Sequence, residues 1–310
     1  MIKPPRLKKG DAVGLVAPSG PFRDENKKQV EGFKSYLEEV GLTVRLSDNF
    51  YAIDKYGAAG GTPEQRAEDI NSMFKDKAVN VVWCLQGGYT ANQTLDLLDF
   101  DLIKKNPKIF LGKSDIDVLS LSINKMTGLV TFHGPDTKIG GDYDEMDPEY
   151  TKDWFKKRLF EGSKEIEPSS NWITLREGVA EGRLIGCNID SILNLAGTKF
   201  FPDFENAILF LETYKIASKA LLSKLQQLTL IGVFKKIKGI VVGTNFGFDD
   251  LGKNLPVEQI VTEITKDYKF PVLKIGEFGH YQPHAFLPVG VKVKLDATNK
   301  KVQIAEDFLS

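Results

Sequence analysis

One short apolar run constrains the fold more than any other feature of this sequence. VNVVWCL, at residues 79–85, is apolar at nearly every position and ends in Gln86-Gly87-Gly88. Such a run is typical of a strand in a parallel sheet, because helices cover both faces of that kind of sheet. Further β-rich runs alternate with segments of helical periodicity, at residues 11–19, 42–46, 108–111 and 128–132. The alternation predicts a doubly wound, mostly parallel α/β domain.

Helix signals lie between these runs. Residues 24–40 show helical periodicity and stop at Gly41. The sequence TPEQ at residues 62–65 combines a hydroxyl N-cap, a proline at the first helical position and a glutamine placed to close a capping box. It predicts a helix that continues to about Phe74.

The length and a change of pattern predict a second domain. A chain of 310 residues exceeds the usual size of one core, and an acidic, turn-rich loop, DTKIGGDYDEMDPEY, interrupts the pattern at residues 136–150. The second half carries β-rich runs, helical segments and hairpin-like strands, at residues 207–212, 217–232, 239–243, 256–267 and 287–304. We predict an N-terminal α/β domain over residues 1–165 and a smaller C-terminal α/β domain with a mixed sheet over residues 166–310.

The composition argues against several classes of function. Lys and Arg total 41 against 42 acidic residues, and no block of like charge suggests a nucleic-acid partner. No apolar run is long enough to span a bilayer, and no signal-peptide core precedes Pro18. Cys84 and Cys187 form no CxxC pair. We therefore expect a reduced, cytoplasmic protein that has no metal or other cofactor and no membrane partner.

Three strand ends are candidates for a functional site, because ligands of open α/β sheets bind at the carboxyl ends of strands. They are the Gly87-Gly88 pair, the turn at Ser114 and the end of AILFLE at Glu212. A glycine pair lets backbone N–H groups approach a ligand oxygen, although an ordinary strand-to-helix turn is the alternative. Neither GxGxxG nor GxxxxGK[ST] occurs there, so the pair is not a nucleotide fingerprint.

Ser114 lies between an apolar strand and a helical segment, in the sequence IFLGKSDIDVL. A serine on such a turn has the geometry of a nucleophile elbow, and the N–H of Asp115 would then lie at a helix N-terminus, where negative charge is favoured. The GxSxG pattern is absent, and an N-capping serine is the alternative.

A nucleophilic serine needs a base, and this sequence offers only His133, His280 and His284. Each of these has a structural role as its alternative. A carboxylate usually orients such a histidine, and Glu212 ends a strongly apolar strand, where the alternative is a charge at an exposed strand end.

Motifs along nearly the whole chain identify a family. They are GTPEQRAEDI, GGYTANQTLDLLDFDLIKKNPKIFLGKSDIDVL, GLVTFHGP, EGRLIGCNIDSILNLAGTKFFP, ILFLE, and FGH followed by LPVG. In this order they resemble the LD-carboxypeptidase family of serine peptidases, in particular the branch that includes the microcin C immunity protein.

The resemblance implies a role for each candidate residue. It places a catalytic triad on Ser114, Glu212 and His280, with His280 preferred over His284. It also places the oxyanion hole on the backbone N–H groups of Gly87, Gly88 and Asp115.

Two further residues are candidate substrate contacts. Lys113 stands where the family usually has a tyrosine, and Trp172 is an aromatic residue placed as in the immunity-protein branch. Cys187 replaces a usual glycine. The resemblance also implies a homodimer.

The expected reaction is acyl transfer without a metal. The substrate would be a small peptide, such as a muropeptide with an L-to-D bond, or a peptidyl or aminoacyl nucleotide of the microcin C type. A catalytically silent binding protein of the same fold, with Lys113 holding an anionic ligand, is the alternative.

Overall fold

A computed structural model describes residues 1–136, 148–248, 255–280 and 283–310. Most of the predicted acidic loop at residues 136–150 lies outside these ranges. The strands are β1 (Ala12–Val16), β2 (Thr43–Leu46), β3 (Val79–Cys84), β4 (Ile109–Gly112), β5 (Thr131–His133), β6 (Ile173–Arg176), β7 (Val179–Asn188), β8 (Ala207–Tyr214), β9 (Gly239–Phe246), β10 (Val272–Lys274), β11 (Leu287–Val289), β12 (Lys292–Asp296) and β13 (Lys301–Ile304).

Helices connect most of the parallel strands. They are α1 (Lys27–Glu39), α2 (Pro63–Lys75), α3 (Phe100–Lys105), α4 (Asp117–Thr127), α5 (Pro148–Phe155), α6 (Ile189–Asn194), α7 (Ser218–Leu230), α8 (Val233–Lys236) and α9 (Val257–Ile264). Short 3-10 segments cover Asp24–Asn26, Ala91–Leu97 and Ser114–Ile116, and a π-helical turn covers Lys156–Phe160.

The predicted start of the second helix is confirmed. The Thr62 hydroxyl accepts a hydrogen bond from the Gln65 N–H, and the Gln65 side chain accepts one from the Thr62 N–H, at 3.3 and 2.9 Å. This reciprocal pair satisfies two N–H groups that the first helical turn leaves without partners.

The first sheet has the strand order β11-β5-β4-β3-β1-β2. Strands β1 to β5 pair in parallel, as the sequence predicts, and VNVVWC is buried at five of its six positions. The second sheet has the order β13-β12-β7-β8-β9-β10-β6. Its central strands β7 to β10 are parallel, and antiparallel strands flank them. The predicted fold class, a mostly parallel α/β sheet followed by a mixed one, is confirmed.

One predicted hairpin is only partly correct. Strands β12 and β13 pair as a hairpin, but β11 pairs antiparallel with β5 and is the edge strand of the first sheet. An edge strand tolerates Pro288, which has no N–H to donate, and the flanking residues Leu287 and Val289 are buried there. The C-terminal half therefore contributes a strand to the N-terminal sheet.

The parallel strands of both sheets bring their carboxyl ends to one cleft. It is lined by the loops after β3 and β4, by the ends of β7, β8 and β9, and by the loop after β10. Within the described ranges, no helix has the length and apolar character needed to cross a membrane.

Candidate functional site

The turn after β4 presents Ser114 to the cleft. Lys113 is extended, with φ of −148°, and Ser114 then has φ of 64°, a left-handed conformation that costs a non-glycine residue about 1 kcal/mol or more. Helix α4 follows within three residues. This is the strand-turn-helix geometry predicted for a nucleophile elbow.

The N-cap alternative for Ser114 is wrong. Lys113 is the N-cap of the 3-10 turn and Ile116 is the N-cap of α4. Among the described residues, none forms a hydrogen bond with Ser114 Oγ, and the hydroxyl lines the cleft. The hydroxyl therefore does not stabilise a helix end.

Gly87 approaches the serine closely enough that a side chain there would collide with it. A β-carbon on Gly87 would lie 2.9 Å from Ser114 Cβ, 3.0 Å from Ser114 Oγ and 3.7 Å from the Asp115 nitrogen. At the neighbouring Gly88, a β-carbon would lie 2.5 Å from Ser19 Oγ. Gly87, Ser114 and the backbone nitrogen of Asp115 therefore lie together at one point of the cleft, and Gly88 lies beside them against Ser19.

Glu212, which is fully buried, and His280, whose side chain is 10% exposed, form a pair on the opposite wall. Glu212 Oε2 lies 2.6 Å from His280 Nδ1, and Asn188 Nδ2 donates to Glu212 Oε1 at 2.7 Å. Glu212 is fully buried, so the alternative of an exposed strand-end charge is wrong. Burial opposes ionisation of the carboxyl, but attraction to His280 and the hydrogen bonds outweigh it and lower the pKa of Glu212.

The other two histidines lie behind the cleft. His133 Nδ1 is 2.9 Å from Asp117 Oδ1, and both side chains are buried. Burial raises the pKa of Asp117 even though His133 opposes the shift. His284 is also buried, with its ring centre 6.3 Å from that of His133. Of the three histidines, only His280 lines the cleft.

The cleft has a volume of about 480 Å³, within the range of small-molecule sites. Its lining includes Gly87, Gly88, Lys113, Ser114, Asp115 and His280.

The structure does not bring Trp172 to this cleft. The Trp172 side chain is buried, and its Nε1 donates to Glu277 Oε2 at 2.7 Å, where the fully buried Glu277 carboxylate requires hydrogen-bond donors.

Lys113 lies in the cleft wall with only 4% of its side chain exposed. Its Nζ is 3.8 Å from Asp136 Oδ2. An ammonium group in the same cleft as the serine adds positive charge at the site, and the Asp136 carboxylate partly offsets that charge.

Three contributors to the site escape sequence analysis. Ser19 Oγ donates to Asp115 Oδ2 at 2.5 Å, Asn188 holds Glu212, and the Tyr214 ring lies 4.4 Å from the His280 ring. Asn188 falls within the motif EGRLIGCNIDSILNLAGTKFFP, Ser19 ends the predicted strand run at residues 11–19, and Tyr214 follows AILFLE by two residues. Their places in that motif and at strand ends are the signals that could have found them.

In the part of the chain that the structure describes, no group of three or more His, Cys, Asp or Glu side chains is arranged to hold a metal ion. Cys84 and Cys187 are both free and buried, and burial raises the pKa of each thiol.

Comparison with known proteins gives consistent matches. The family model described as the LD-carboxypeptidase N-terminal domain matches residues 13–134, and the C-terminal domain model matches residues 181–295. The "Probable murein peptide carboxypeptidase" of Bacillus subtilis (strain 168) is 32% identical, covering 97% of this chain and 94% of the relative. The Microcin C7 self-immunity protein MccF of Escherichia coli is 28% identical, covering 97% and 95%.

Solved structures agree with these sequence matches. MccF in complex with glutamyl sulfamoyl guanosine superposes with a TM-score of 0.92 at 26% identity, covering all of both chains. An MccF-like protein from Bacillus anthracis str. Ames gives a TM-score of 0.88 at 29% identity, covering 98% of this chain and 99% of the other. The fold and its relatives define a peptidase of the carboxypeptidase type. The chain belongs to the LD-carboxypeptidase family, as its motifs predict.

The Glu212–His280 pair predicts a pH dependence of stability. Because the pKa of Glu212 in the folded protein lies below its ordinary value of 4.5, the unfolded state binds more protons at this group. The stabilisation is present above about pH 4.5 and is lost as the pH falls through the folded pKa. We expect the free energy of unfolding, measured by urea denaturation, to fall on acidification more steeply in the parent than in Glu212→Gln.

Asp117 affects the pH dependence of the free energy of unfolding in the opposite direction to Glu212. The pKa of Asp117 is raised above 3.8 in the folded protein, so the folded state binds more protons at this group. Asp117 is present in both proteins, so the comparison with Glu212→Gln removes most of its effect. Equal slopes for the two proteins would contradict a stabilising Glu212–His280 pair.

Proposed function

We propose that this protein is a serine hydrolase that cleaves an amide bond through Ser114, His280 and Glu212. The single observation that supports this most strongly is the convergence of two walls on one cleft. One wall presents the left-handed Ser114 turn, and the other presents a histidine held by a buried glutamate. These are the groups that nucleophilic acyl transfer requires.

In the proposed mechanism, the Ser114 hydroxyl attacks the carbonyl carbon and His280 Nε2 takes the hydroxyl proton. Glu212, bonded to Nδ1, holds the imidazole in the required tautomer and stabilises its cation. The N–H groups of Gly87, Gly88 and Asp115 would stabilise the oxyanion.

The remaining steps release the two products. His280 gives its proton to the leaving amine as the amide C–N bond breaks, leaving an ester on Ser114. Water then attacks this ester while His280 takes one of its protons; His280 gives that proton to Ser114 Oγ as the ester bond breaks, and a carboxylic acid leaves. No direct Ser114–His280 hydrogen bond is present among the described residues; such bonds often tighten only when substrate binds.

For the substrate, we propose an aminoacyl or peptidyl nucleotide of the microcin C type. Tyr214 and Phe246 line the cleft as a stacked pair, with ring centres 5.3 Å apart, and an aromatic surface of this kind suits a nucleobase. Lys113 supplies a cation for the anionic linkage of such a molecule. Solved MccF complexes contain glutamyl sulfamoyl guanosine and aspartyl sulfamoyl adenosine.

A muropeptide with an L-to-D bond is the second candidate substrate. It is favoured by the 32% identity to a relative named for murein peptide cleavage. The predicted cytoplasmic location, which rests on the composition of the sequence, and the homodimer, which rests on the family resemblance, belong to the same proposal.

A side-by-side assay tests this proposal. Purified protein is incubated with an aminoacyl sulfamoyl adenylate and with a murein tetrapeptide, and the released amino acid is quantified by mass spectrometry. We expect cleavage of the nucleotide, with the tetrapeptide cleaved more slowly. Cleavage of the tetrapeptide alone would reverse the choice of substrate, and binding of either compound without cleavage would favour the silent binding protein.

A further inference from the structure

Asn188 lies at the end of β7, directly beside Glu212 on β8 in the register of the second sheet. It is almost fully buried and lines the cleft. Its side-chain N–H group donates to Glu212 Oε1 at 2.7 Å. Its side-chain oxygen accepts from the N–H groups of Asp190 and Ser191, at 3.0 and 3.3 Å, and so caps α6.

The two ends of the Asn188 amide therefore have separate partners. The oxygen is fixed by the helix N-terminus, which forces the N–H group to point at the carboxylate. Glu212 then has one oxygen on Asn188 and the other on His280. A fully buried carboxylate needs such donors, and bonds to a charged group are the strong ones.

The same cap also reaches the nucleophile. Ser191, in the first turn of α6, donates its hydroxyl proton to the backbone carbonyl of Ser114 at 2.7 Å. One short segment, residues 188–191, therefore contacts Glu212 on one side and the Ser114 turn on the other. These two parts of the site come from different sheets.

We infer that Asn188 is a positioning residue for catalysis. It fixes the rotation of the Glu212 carboxylate so that Oε2 faces His280, and through α6 it ties this pair to the Ser114 turn. The inference rests on the proposed function, because it assumes that Glu212 and His280 act on Ser114.

The chemistry at this position demands a neutral donor. Asn188 also directs its backbone N–H toward Asp117 Oδ2, at 3.4 Å, so two buried carboxylates already face it. An aspartate at position 188 would keep an oxygen to cap α6 but would place a third carboxylate against Glu212. Like charges at such distances repel strongly in a buried site.

Two variants separate the capping role from the positioning role. Asn188→Asp and Asn188→Ser both retain a capping oxygen, and both lose the amide N–H group that donates to Glu212. We expect kcat to fall about 10- to 100-fold in each variant, because each loses a hydrogen bond to a charged group. The KM should change by less than about threefold.

Asn124 offers a matched control. Its side chain donates to the carbonyls of Leu129 and Val289, at 2.8 and 3.3 Å, and it does not line the cleft. Asn124→Ala should lower the melting temperature and leave kcat within about twofold of the parent. Proton NMR adds a readout independent of turnover: the downfield resonance of the His280 N–H bonded to Glu212 should shift in the Asn188 variants and persist in Asn124→Ala.

The outcomes distinguish this inference from the proposed function. If Asn188→Asp and Asn188→Ser keep the parent kcat and the parent resonance while Ser114→Ala is inactive, only the positioning role is overturned. If Asn124→Ala loses as much kcat as the Asn188 variants, general loosening of the fold explains both and the inference also fails. If Ser114→Ala turns over substrate like the parent, the proposed function itself fails.

Discussion

Replacing Ser114 by alanine is expected to lower kcat by about a millionfold, as removal of the nucleophile does in other serine hydrolases. The melting temperature should change little, because the hydroxyl has no hydrogen bond to any other described residue. Both quantities are measured on purified protein, with product release quantified by mass spectrometry and unfolding followed by circular dichroism.

Ser114→Gly is the matched companion to this variant. Glycine adopts the left-handed conformation at φ of 64° without strain. We expect this variant to be as inactive as Ser114→Ala and to be more stable than it by about 1 kcal/mol. Turnover in either variant would remove Ser114 from the mechanism, whereas equal stability would argue against strain at the turn.

Replacing Gly87 by alanine is expected to lower kcat by about two to three orders of magnitude, the usual cost of disrupting an oxyanion hole. The added β-carbon would lie about 3 Å from the Ser114 side chain. It would therefore force the serine or the glycine loop to move. The effect is measured as kcat on the substrate that the parent cleaves best.

Gly32→Ala is the control for this change. Gly32 lies in α1, and a β-carbon there would have no heavy atom within 4 Å. This variant should keep the parent kcat and gain roughly 0.5–1 kcal/mol of stability, since alanine favours a helix. An unchanged kcat in Gly87→Ala would show that this loop does not contribute to the oxyanion hole.

Local signals allowed much of the fold to be predicted from the sequence. The continuous apolar run at residues 79–85 indicates a strand buried on both faces, and the capping box at residues 62–65 gives the start of α2 to the residue. These features depend on neighbours within a few positions. The Ser114 turn was predicted for the same reason, because a strand end, small residues and a helix start lie side by side in the chain.

Features that depend on distant pairing could not be predicted in this way. Strand β11 joins β5 across more than 150 residues, and no local pattern distinguishes it from the hairpin strand that follows. The role of Asn188 depends on its register with Glu212, which the sequence does not encode locally. The family resemblance predicted Trp172 as a substrate contact. In the structure, the Trp172 side chain is buried away from the cleft, and its Nε1 donates a hydrogen bond to the buried Glu277 carboxylate.

The choice of the catalytic histidine could be predicted only in part from the sequence. Local sequence left three histidines open, and the family motif favoured His280. Geometry now separates them by their carboxylate partners: Glu212 at the cleft for His280, and Asp117 behind it for His133. The predicted roles of Glu212 and His280 stay predictions until the reaction itself is measured.

Locating the acyl-enzyme tests directly whether Ser114 is the nucleophile. The parent is treated with a fluorophosphonate, which phosphonylates activated serines, and separately with substrate followed by an acid quench. Peptide mass spectrometry then locates the adduct. We expect both adducts to lie on Ser114 and Ser114→Ala to carry neither. An adduct on another serine, such as Ser19 or Ser191, would contradict the assignment of Ser114 as the nucleophile. So would substrate turnover without any adduct in the parent, together with full activity in Ser114→Ala.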